Sequence, residues 1–211
     1  SMAHPLDIPR FSGALLAGGA SMRMGRDKAG LDLAGQPLWR HQVERLLEAG
    51  AHEVLISGRP NGPWQGSPWK IVEDASPGRG PMAGLREVLR ASSSEWVLCL
   101  AVDMPAMNAA FLRGLCQKSA ASGCGTVPYG PLGWEPLAAV YPRRVLALVE
   151  TALRTGRFSL QEFVDNGIAA GLLRAHPVAP SEMPLFHNIN RPEDWLELDA
   201  RGGITAADRP L

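Results

Sequence analysis

A short apolar run leads into a glycine-rich loop that reads Leu16-Ala17-Gly18-Gly19-Ala20-Ser21-Met22-Arg23-Met24-Gly25-Arg26-Asp27-Lys28. The run from Phe11 to Leu16 predicts a buried strand, and the phosphate-binding loop of many α/β proteins follows the first strand. Adjacent glycines let backbone N–H groups approach phosphate oxygens, because no Cβ stands in the way. Arg23 can bind two oxygens and Lys28 adds a point charge, so the loop predicts a nucleoside triphosphate site.

Two common nucleotide-binding motifs are missing from this loop. Neither G-x-G-x-x-G nor G-x-x-x-x-G-K followed by Ser or Thr occurs in the sequence, which counts against Rossmann dinucleotide binding and against P-loop hydrolysis. The structural alternative is a glycine-rich turn whose cations are merely solvated. That alternative must also account for Arg23, Lys28 and the position directly after a strand.

Composition limits the class of protein. The chain has 211 residues, with 21 basic and 21 acidic side chains, so its net charge gives no reason to expect nucleic acid or an anionic membrane as a partner. No apolar run approaches the roughly 20 residues of a membrane-spanning helix, and the N-terminus lacks signal-peptide features. We expect a soluble, cytoplasmic protein with one domain over 11–198 and flexible termini at 1–10 and 199–211.

The cysteines and histidines carry no sign of a metal site. Cys99, Cys116 and Cys124 show no C-x-x-C spacing and are odd in number, so we expect reduced thiols, with Cys99 in the core. The histidines form no cluster with carboxylates at ligand spacing. The sequence therefore predicts neither a zinc centre nor a disulfide framework.

The rest of the chain alternates strand and helix patterns. Strands are predicted over 53–57, 69–72, 96–101, 126–128 and 137–141, and helices from Pro37 to a cap at Gly50, after Pro81, over 109–118 and over 143–154. This alternation predicts a three-layer αβα fold of Rossmann-like type, with an open, mostly parallel sheet and helices on both faces. Ligands of such sheets bind beyond the carboxyl ends of the strands.

Two aspartates follow predicted strands and are expected at this carboxyl edge. Asp103 comes after the apolar run 96–101, and Asp74 comes after the strand at 69–72. Mg²⁺ prefers one or two carboxylates together with phosphate oxygens and water, so Asp103 suffices as a magnesium ligand if a nucleotide supplies the rest. From the residues alone, each aspartate could instead cap the turn that follows it.

Blocks along the chain resemble, in the same order, those of the molybdenum cofactor guanylyltransferases. They are Leu16-Ala17-Gly18-Gly19, Arg23-Met24-Gly25, Asp27-Lys28, Gly35-Gln36-Pro37-Leu38, Glu73-Asp74, Gly80-Pro81-Met82-Ala83-Gly84-Leu85, Asp103-Met104-Pro105, Glu135-Pro136-Leu137, Ser159-Leu160-Gln161 and the stretch 186–194. The resemblance spans Gly13 to Asp194. It implies a nucleotidyltransferase of the nucleotide-diphospho-sugar transferase type.

The resemblance also implies a set of site residues. Those expected to bind the nucleotide are Leu16, Ala17, Gly18, Gly19, Arg23, Lys28, Ser57, Asp74 and Asp103; those expected to bind the acceptor are Gly80, Pro81, Gly84, Asn188 and Asn190. Arg23, Lys28 and Asp103 would be catalytic, with Asp103 as the magnesium ligand. An asparagine in the closing stretch could instead be the N-cap of a helix that starts at Pro192.

The implied reaction transfers the guanylyl group of GTP to molybdopterin, with Mg²⁺ as cofactor and pyrophosphate as second product. A phosphate acceptor is already a nucleophile at neutral pH, so the absence of a catalytic Ser, Cys or His constellation fits a positioning enzyme. Arg79 is a hypothetical ligand of the acceptor's phosphate. Transient contacts with delivery proteins and molybdoenzymes are a further expectation.

Three alternatives stay open at this stage. Relatives that use CTP tend to carry Leu-Ala-Ala-Gly, and Gly18 instead resembles the GTP-using form, whereas a sugar-phosphate enzyme would leave 188–193 unexplained. A nucleotide or molybdopterin carrier without turnover would not need a metal ligand and two cations. The sequence departs from the family at Arg191, where threonine is common, and at Ser57-Gly58, where some relatives have asparagine. These departures put the base and acceptor contacts in question.

Overall fold

The computed structural model describes residues 8–18, 28–33, 35–73, 79–189 and 194. The strands are β1 (Phe11–Leu16), β2 (Asp32–Leu33), β3 (Gln36–Pro37), β4 (Glu53–Ser57), β5 (Lys70–Val72), β6 (Trp96–Ala101), β7 (Gly125–Gly130), β8 (Gly133–Trp134), β9 (Ala138–Pro142) and β10 (Leu173–Pro177). The α-helices are α1 (Leu38–Ala49), α2 (Pro81–Ala91), α3 (Ala109–Ser122), α4 (Leu146–Arg154) and α5 (Leu160–Ala169). Short 3₁₀ helices cover Lys28–Gly30, Arg143–Val145 and Met183–Phe186.

The main sheet has the strand order β10-β7-β9-β6-β1-β4-β5, with β8 paired to β7, while β2 and β3 form a separate hairpin. Neighbours β1, β4, β5 and β6 are parallel, and β10 is parallel to β7. β9 runs antiparallel to both β6 and β7. The predicted mostly parallel sheet is therefore confirmed, and the reversal at β9 is a feature that the sequence analysis did not predict.

Helices cover both faces of the main sheet, as predicted. One core lies under α1 and α3 and contains Leu15 of β1, Ile56 of β4 and Leu98 of β6. The other core lies under α2, α4 and α5 and contains Leu55 and Cys99 among its strand residues. Because successive strand side chains point to opposite faces, the apolar residues of β1, β4 and β6 supply both cores.

Helix α1 shows how local sequence sets the element bounds. Trp39, Val43 and Leu46 are buried on one face, and Gly50 ends the helix as predicted, at φ 110° with its N–H donated to the carbonyls of Leu46 and Leu47. The helix begins at Leu38 rather than at Pro37. Pro37 has extended geometry, φ −60° and ψ 140°, because it pairs with Asp32 in the β2–β3 hairpin.

Several other bounds differ by a few residues from the prediction. β5 begins at Lys70, α3 continues to Ser122, β7 covers Gly125–Gly130, and β9 ends at Pro142. The segment 61–68 is a loop, yet its Trp64 is 1% exposed and donates its indole N–H to the carbonyl of Arg59 at 2.8 Å. All three cysteines are free and Cys99 is fully buried, as predicted.

The sequence pattern predicts no strand over β10, and it indicates no element over β2, β3, β8 and most of α5. β10 has Leu173 as its one fully buried residue and lies at the end of the sheet, so its apolar signal is weak. Of the helix predicted from Pro192, Asp194 is helical and the rest lies outside the described residues. No helix in the described part of the chain is long and apolar enough to cross a bilayer.

Candidate active site

The candidate site lies at the carboxyl edge of the main sheet, where β1, β4 and β6 end together. The N–H of Ala17 donates to the carbonyl of Ser57 at 3.0 Å, and the N–H of Val102 donates to the carbonyl of Leu16 at 3.2 Å. These bonds join the first residues beyond the three strands. The loop that starts at Leu16 and the turn that contains Asp103 are therefore neighbours, as the sequence predicted.

The start of the glycine-rich loop changes from buried to exposed over three residues. Leu16 and Ala17 are buried, and Gly18 is exposed. A Cβ added at Gly18 would lie 3.7 Å from the carbonyl oxygen of Ser57 and 3.8 Å from Cα of Gly58, which is ordinary contact. Packing against the residues that the structure describes thus gives no reason for glycine at this position, which fits the predicted close approach of a ligand. Gly19 and Arg23 lie outside the described residues.

Lys28 brings the far end of the loop back to the same edge. It begins a short 3₁₀ helix whose Ala29 is fully buried. Its charge acts on Asp103, because it lowers the pKa of that carboxyl against the effect of burial. The structure therefore brings together two of the three predicted catalytic residues, Lys28 from the far end of the glycine-rich loop and Asp103 from the turn after β6.

Asp103 lies in the turn after β6. Burial raises the pKa of its carboxyl from the ordinary value of 3.8, and the charge of Lys28 and a hydrogen bond from its own backbone N–H oppose the rise. The side-chain amide of Gln42 donates to the carbonyls of Ala101 at 3.0 Å and Met104 at 2.9 Å. Gln42, rather than a capping bond from Asp103, therefore holds this turn.

The residues at this edge fit a magnesium ion that shares its ligands with a nucleotide. The described part of the chain contains no group of three or more His, Cys, Asp and Glu side chains that could hold a metal by themselves. Asp103 offers one carboxylate beside Lys28, in a partly desolvated position. Mg²⁺ commonly binds to one or two carboxylates and takes its remaining ligands from phosphate oxygens and water.

The first turn of α2 lies beside the end of β4. A Cβ at Gly84 would come within 2.7 Å of the Ser57 hydroxyl oxygen, so glycine allows the helix to approach the strand this closely. The side chain of Ser57 is 2% exposed and packs against this glycine. Gly84 and Ser57 thus have a packing role, and contact of either with a ligand stays a prediction.

Gly80 and Pro81 shape the start of α2. Gly80 has φ 67° and ψ −163°, a conformation that other residues rarely adopt, and Pro81 occupies the first helical turn. No side chain caps the helix, and Gly80 is exposed. Since α2 runs back from the carboxyl edge, the positive end of its dipole lies where an anion could bind. The neighbouring Arg79 is also exposed, whereas Asp74 lies outside the described residues.

The C-terminal segment returns to Asp103. Ile189 is 1% exposed and donates its N–H to the carbonyl of Asp103 at 2.9 Å. The 3₁₀ helix before it is anchored by Phe186, whose ring meets that of Phe111 edge-on with 5.4 Å between centroids. This contact brings the exposed Asn188 to the candidate site, while Asn190 lies outside the described residues.

Sequence reasoning missed Gln42, whose side chain is fully buried within the apolar face of α1. An amide within a buried stripe indicates a hydrogen-bonding task, and this signal could have identified it. Three other residues of the resembling region have structural roles: Ser159 caps α5 by accepting from the N–H of Glu162, and Phe163 and Tyr141 are buried in the core.

Comparison with known proteins identifies the family. The model of the MobA-like NTP transferase domain matches residues 13–169. The chain is 42% identical, over 87% of its length and 92% of the relative, to a probable molybdenum cofactor guanylyltransferase of Opitutus terrae. It is 33% identical, over 90% of its length and 97% of the relative, to a molybdenum cofactor guanylyltransferase of Pseudomonas putida.

Solved structures show the same fold. Molybdopterin-guanine dinucleotide biosynthesis protein A from Archaeoglobus fulgidus superposes with a TM-score of 0.73 at 23% identity, covering 90% of this chain and 97% of that one. A 2-C-methyl-D-erythritol 4-phosphate cytidylyltransferase from Thermus thermophilus gives 0.67 at 16% identity, with 90% and 98% coverage. These two likenesses concern the fold alone. From its relatives in sequence, the chain belongs to the molybdenum cofactor guanylyltransferase family of nucleotidyltransferases, with a MobA-like NTP transferase domain.

Proposed function

We propose that this protein transfers the guanylyl group of GTP to molybdopterin, forming molybdopterin guanine dinucleotide and pyrophosphate. The observation that carries the proposal is that Lys28 lies close enough to the desolvated Asp103 to lower the pKa of its carboxyl, at the edge where β1 leads into Ala17 and Gly18. This arrangement occurs in a chain 42% identical to a relative named for that activity.

The chemistry needs alignment rather than a protein nucleophile. An oxygen of the acceptor's terminal phosphate forms a bond with the α-phosphorus of GTP, while the bond from that phosphorus to the leaving pyrophosphate breaks. Lys28 and Arg23 would neutralise charge that develops on the phosphate oxygens, and the loop's N–H groups would hold the phosphates in line. Catalysis then rests on positioning and electrostatics.

Asp103 would hold the magnesium ion, with Lys28 beside it. When bound, magnesium supplies charge neutralisation on the phosphates. The carboxyl must be ionised to bind the cation, and its raised pKa means that deprotonation is harder here than in water. The charge of Lys28 favours the ionised form, so the cation of the loop and the metal ligand support each other.

The acceptor would bind on the side of the cleft formed by the first turn of α2 and the C-terminal segment. The uncapped N-terminus of α2, together with Arg79, offers donors and positive charge for the acceptor's phosphate. Asn188 offers an exposed amide close to Asp103. Because GTP and molybdopterin are both cytoplasmic metabolites in this scheme, the cytoplasmic location belongs to the same proposal.

Cytidylyl transfer is the nearest competitor, and the relatives named for guanylyl transfer favour GTP. Calorimetric titration with GTP, CTP and ATP in the presence of Mg²⁺ tests the choice of base. We expect GTP to bind most tightly, and Lys28→Ala to weaken GTP binding by about tenfold or more, since it removes a charge-assisted contact. The control is Glu95→Gln, an exposed carboxylate at the opposite edge of the sheet.

Guanylyl transfer is then measured with labelled GTP and purified molybdopterin. Release of pyrophosphate together with labelled dinucleotide supports the proposal. A preference for CTP would replace it with cytidylyl transfer. Tight binding of GTP without turnover in the presence of acceptor and Mg²⁺ would indicate a carrier instead.

A further inference from the structure

The strand that returns from the β7–β8 hairpin carries a bulge at the carboxyl edge of the sheet. Tyr129 pairs with Trp134, and Thr126 pairs with Val140. Only Val127 and Pro128 separate these positions on β7, whereas residues 135–139 separate them on the returning strand. The extra residues bend the chain out of the regular ladder at Glu135-Pro136-Leu137, and bulges of this kind often re-aim a side chain beside an active site.

Four hydrogen bonds fix this bulge on both sides. The N–H of Glu135 donates to the carbonyl of Pro128 at 2.9 Å, and the N–H of Ala138 donates to the carbonyl of Glu135 at 3.3 Å. The hydroxyl of the fully buried Tyr141 donates to the carbonyl of Pro136 at 2.6 Å. The N–H of Ala101 donates to the carbonyl of Leu137 at 2.7 Å. Since Ala101 ends β6, the bulge lies against the strand end that leads into Asp103.

The bulge carries one carboxylate, that of Glu135. Glu135 is half-buried, and neither a hydrogen bond nor an ion pair reaches its carboxylate from any residue in the part of the chain that the structure describes. Burial alone accounts for the raised pKa of the Glu135 carboxyl. A carboxylate that is partly desolvated and unpaired is costly for the folded state, so its presence in a hydrogen-bonded bulge needs a reason outside packing.

We propose that Glu135 recognises the acceptor, by accepting hydrogen bonds from the adjacent ring N–H and amino groups of its pterin. The pterin's 2-amino-4-oxopyrimidine edge presents two neighbouring N–H donors, and the two oxygens of a carboxylate match such a pair. The guanine of GTP carries the same edge. The position of Glu135 favours the acceptor over GTP as its ligand. The bulge lies beyond β6 on the side of β9 and β7, whereas the nucleotide residues are expected at β1 and β4.

This inference rests on the proposed function for the identity of the acceptor, and direct binding separates the two. Equilibrium dialysis measures molybdopterin binding without turnover, and steady-state rates with GTP then give KM for the acceptor. For Glu135→Gln we expect molybdopterin affinity to fall, and acceptor KM to rise, by about tenfold to a hundredfold, since one acceptor oxygen becomes an N–H donor that faces donors. The kcat at saturating acceptor and the calorimetric affinity for GTP with Mg²⁺ stay within about twofold.

Two further variants sharpen the test. Glu135→Asp keeps the carboxylate on a shorter side chain, so we expect acceptor affinity between those of the wild type and Glu135→Gln. Glu95→Gln makes the same chemical change at an exposed position of the opposite edge and should leave acceptor affinity unchanged. The thermal midpoint of Glu135→Gln should not fall, because the variant removes a desolvated, unpaired carboxyl.

Unchanged acceptor affinity in Glu135→Gln would overturn the inference. A parallel loss of GTP affinity would assign Glu135 to the guanine, and a higher Mg²⁺ requirement would assign it to the metal; either result also overturns the inference. A wild-type protein that binds molybdopterin but transfers no guanylyl group would contradict the proposed function alone. A wild-type protein that binds no molybdopterin would contradict both.

Discussion

At the amino edge of the main sheet, the Glu53 carboxylate accepts hydrogen bonds from the Ser12 hydroxyl and from both the N–H and the hydroxyl of Ser93. Burial raises the pKa of Glu53, but these bonds and the charge of a protonated His52 outweigh burial and leave the pKa below its ordinary value. At the carboxyl edge, burial prevails for both Asp103 and Glu135, and the pKa of each is raised.

The two edges differ in whether contacts within the protein offset the burial of a carboxylate. All three carboxyls are partly desolvated, so burial by itself does not distinguish them. Glu53 finds its partners within the chain and stabilises the start of β4. Burial outweighs the charge of Lys28 and the backbone N–H at Asp103, and it acts alone at Glu135. Carboxylates whose burial is not offset in this way cost folding stability that a bound cation or N–H donor would recover.

Among the variants that test this difference, Asp103→Asn is expected to have the largest effect on activity. The amide has the same shape but cannot supply the charge that binds a cation, so guanylyl transfer should fall by about a hundredfold to a thousandfold. The thermal midpoint should stay or rise. Because the pKa of Asp103 is raised from 3.8 in the folded protein, ionisation above that pH favours the unfolded chain, and the amide removes this penalty.

Transfer rates with labelled GTP and thermal unfolding at neutral pH measure the two halves of this prediction. Glu95→Gln serves as the matched control for the loss of one charge. A variant that loses activity together with several degrees of thermal midpoint would break the comparison, because Asp103 would then stabilise the fold as Glu53 does.

A smaller and opposite effect is expected for Glu53→Gln. The variant weakens charge-assisted hydrogen bonds at a partly exposed site, so the free energy of unfolding should fall by about 1 kcal/mol, which corresponds to roughly 2–4 °C for a domain of this size. Guanylyl transfer should not change, because the carboxylate lies at the edge opposite the site.

The pH dependence of unfolding tests whether the charge of the Glu53 carboxylate causes this difference in stability. The folded pKa of Glu53 lies below the ordinary 4.5, so its contribution is present above pH 4.5 and is lost as the pH falls through the lowered pKa. The difference in stability between the wild type and Glu53→Gln should therefore shrink below pH 4.5. A difference that is constant across this range would point to packing rather than to charge.

The sequence predicted the carboxyl edge much better than the amino edge. β1, β4 and β6 were predicted with their observed bounds, because strands that are buried on both faces read as short apolar runs with polar or glycine-rich ends. Once these strands were assigned, the residues that follow them had to meet at one edge. The position of Asp103 beside the start of the glycine-rich loop followed from this rule alone.

The rest depends on contacts that sequence periodicity does not contain. Every residue of β9 is buried, and such a continuous run occurs in parallel and antiparallel strands alike. The reversal of β9 and the bulge at 135–137 were therefore not predicted. The network around Glu53 joins Ser12 to Ser93, which are far apart in the chain. Serines at such positions carry no pattern that indicates which carboxylate they will meet.

The smallest effect on stability is expected for Gly18→Ala, and it separates ligand approach from packing at the carboxyl edge. The added Cβ would make only ordinary contacts at 3.7 and 3.8 Å, so the free energy of unfolding should stay within about 1 kcal/mol of the wild type. GTP affinity should nevertheless fall severalfold, because the methyl group occupies space that a nucleotide would use.

Gly114→Ala in α3 is the control, since its Cβ would meet nothing within 4 Å. That control should stabilise the helix by a few tenths to about 1 kcal/mol and leave GTP binding unchanged. Calorimetric titration with GTP and CTP measures the nucleotide affinity of both variants. Unaltered GTP affinity in Gly18→Ala would mean that the carboxyl edge keeps glycine here for a reason other than the nucleotide, whereas a loss for GTP with a gain for CTP would make this position the one that selects the base.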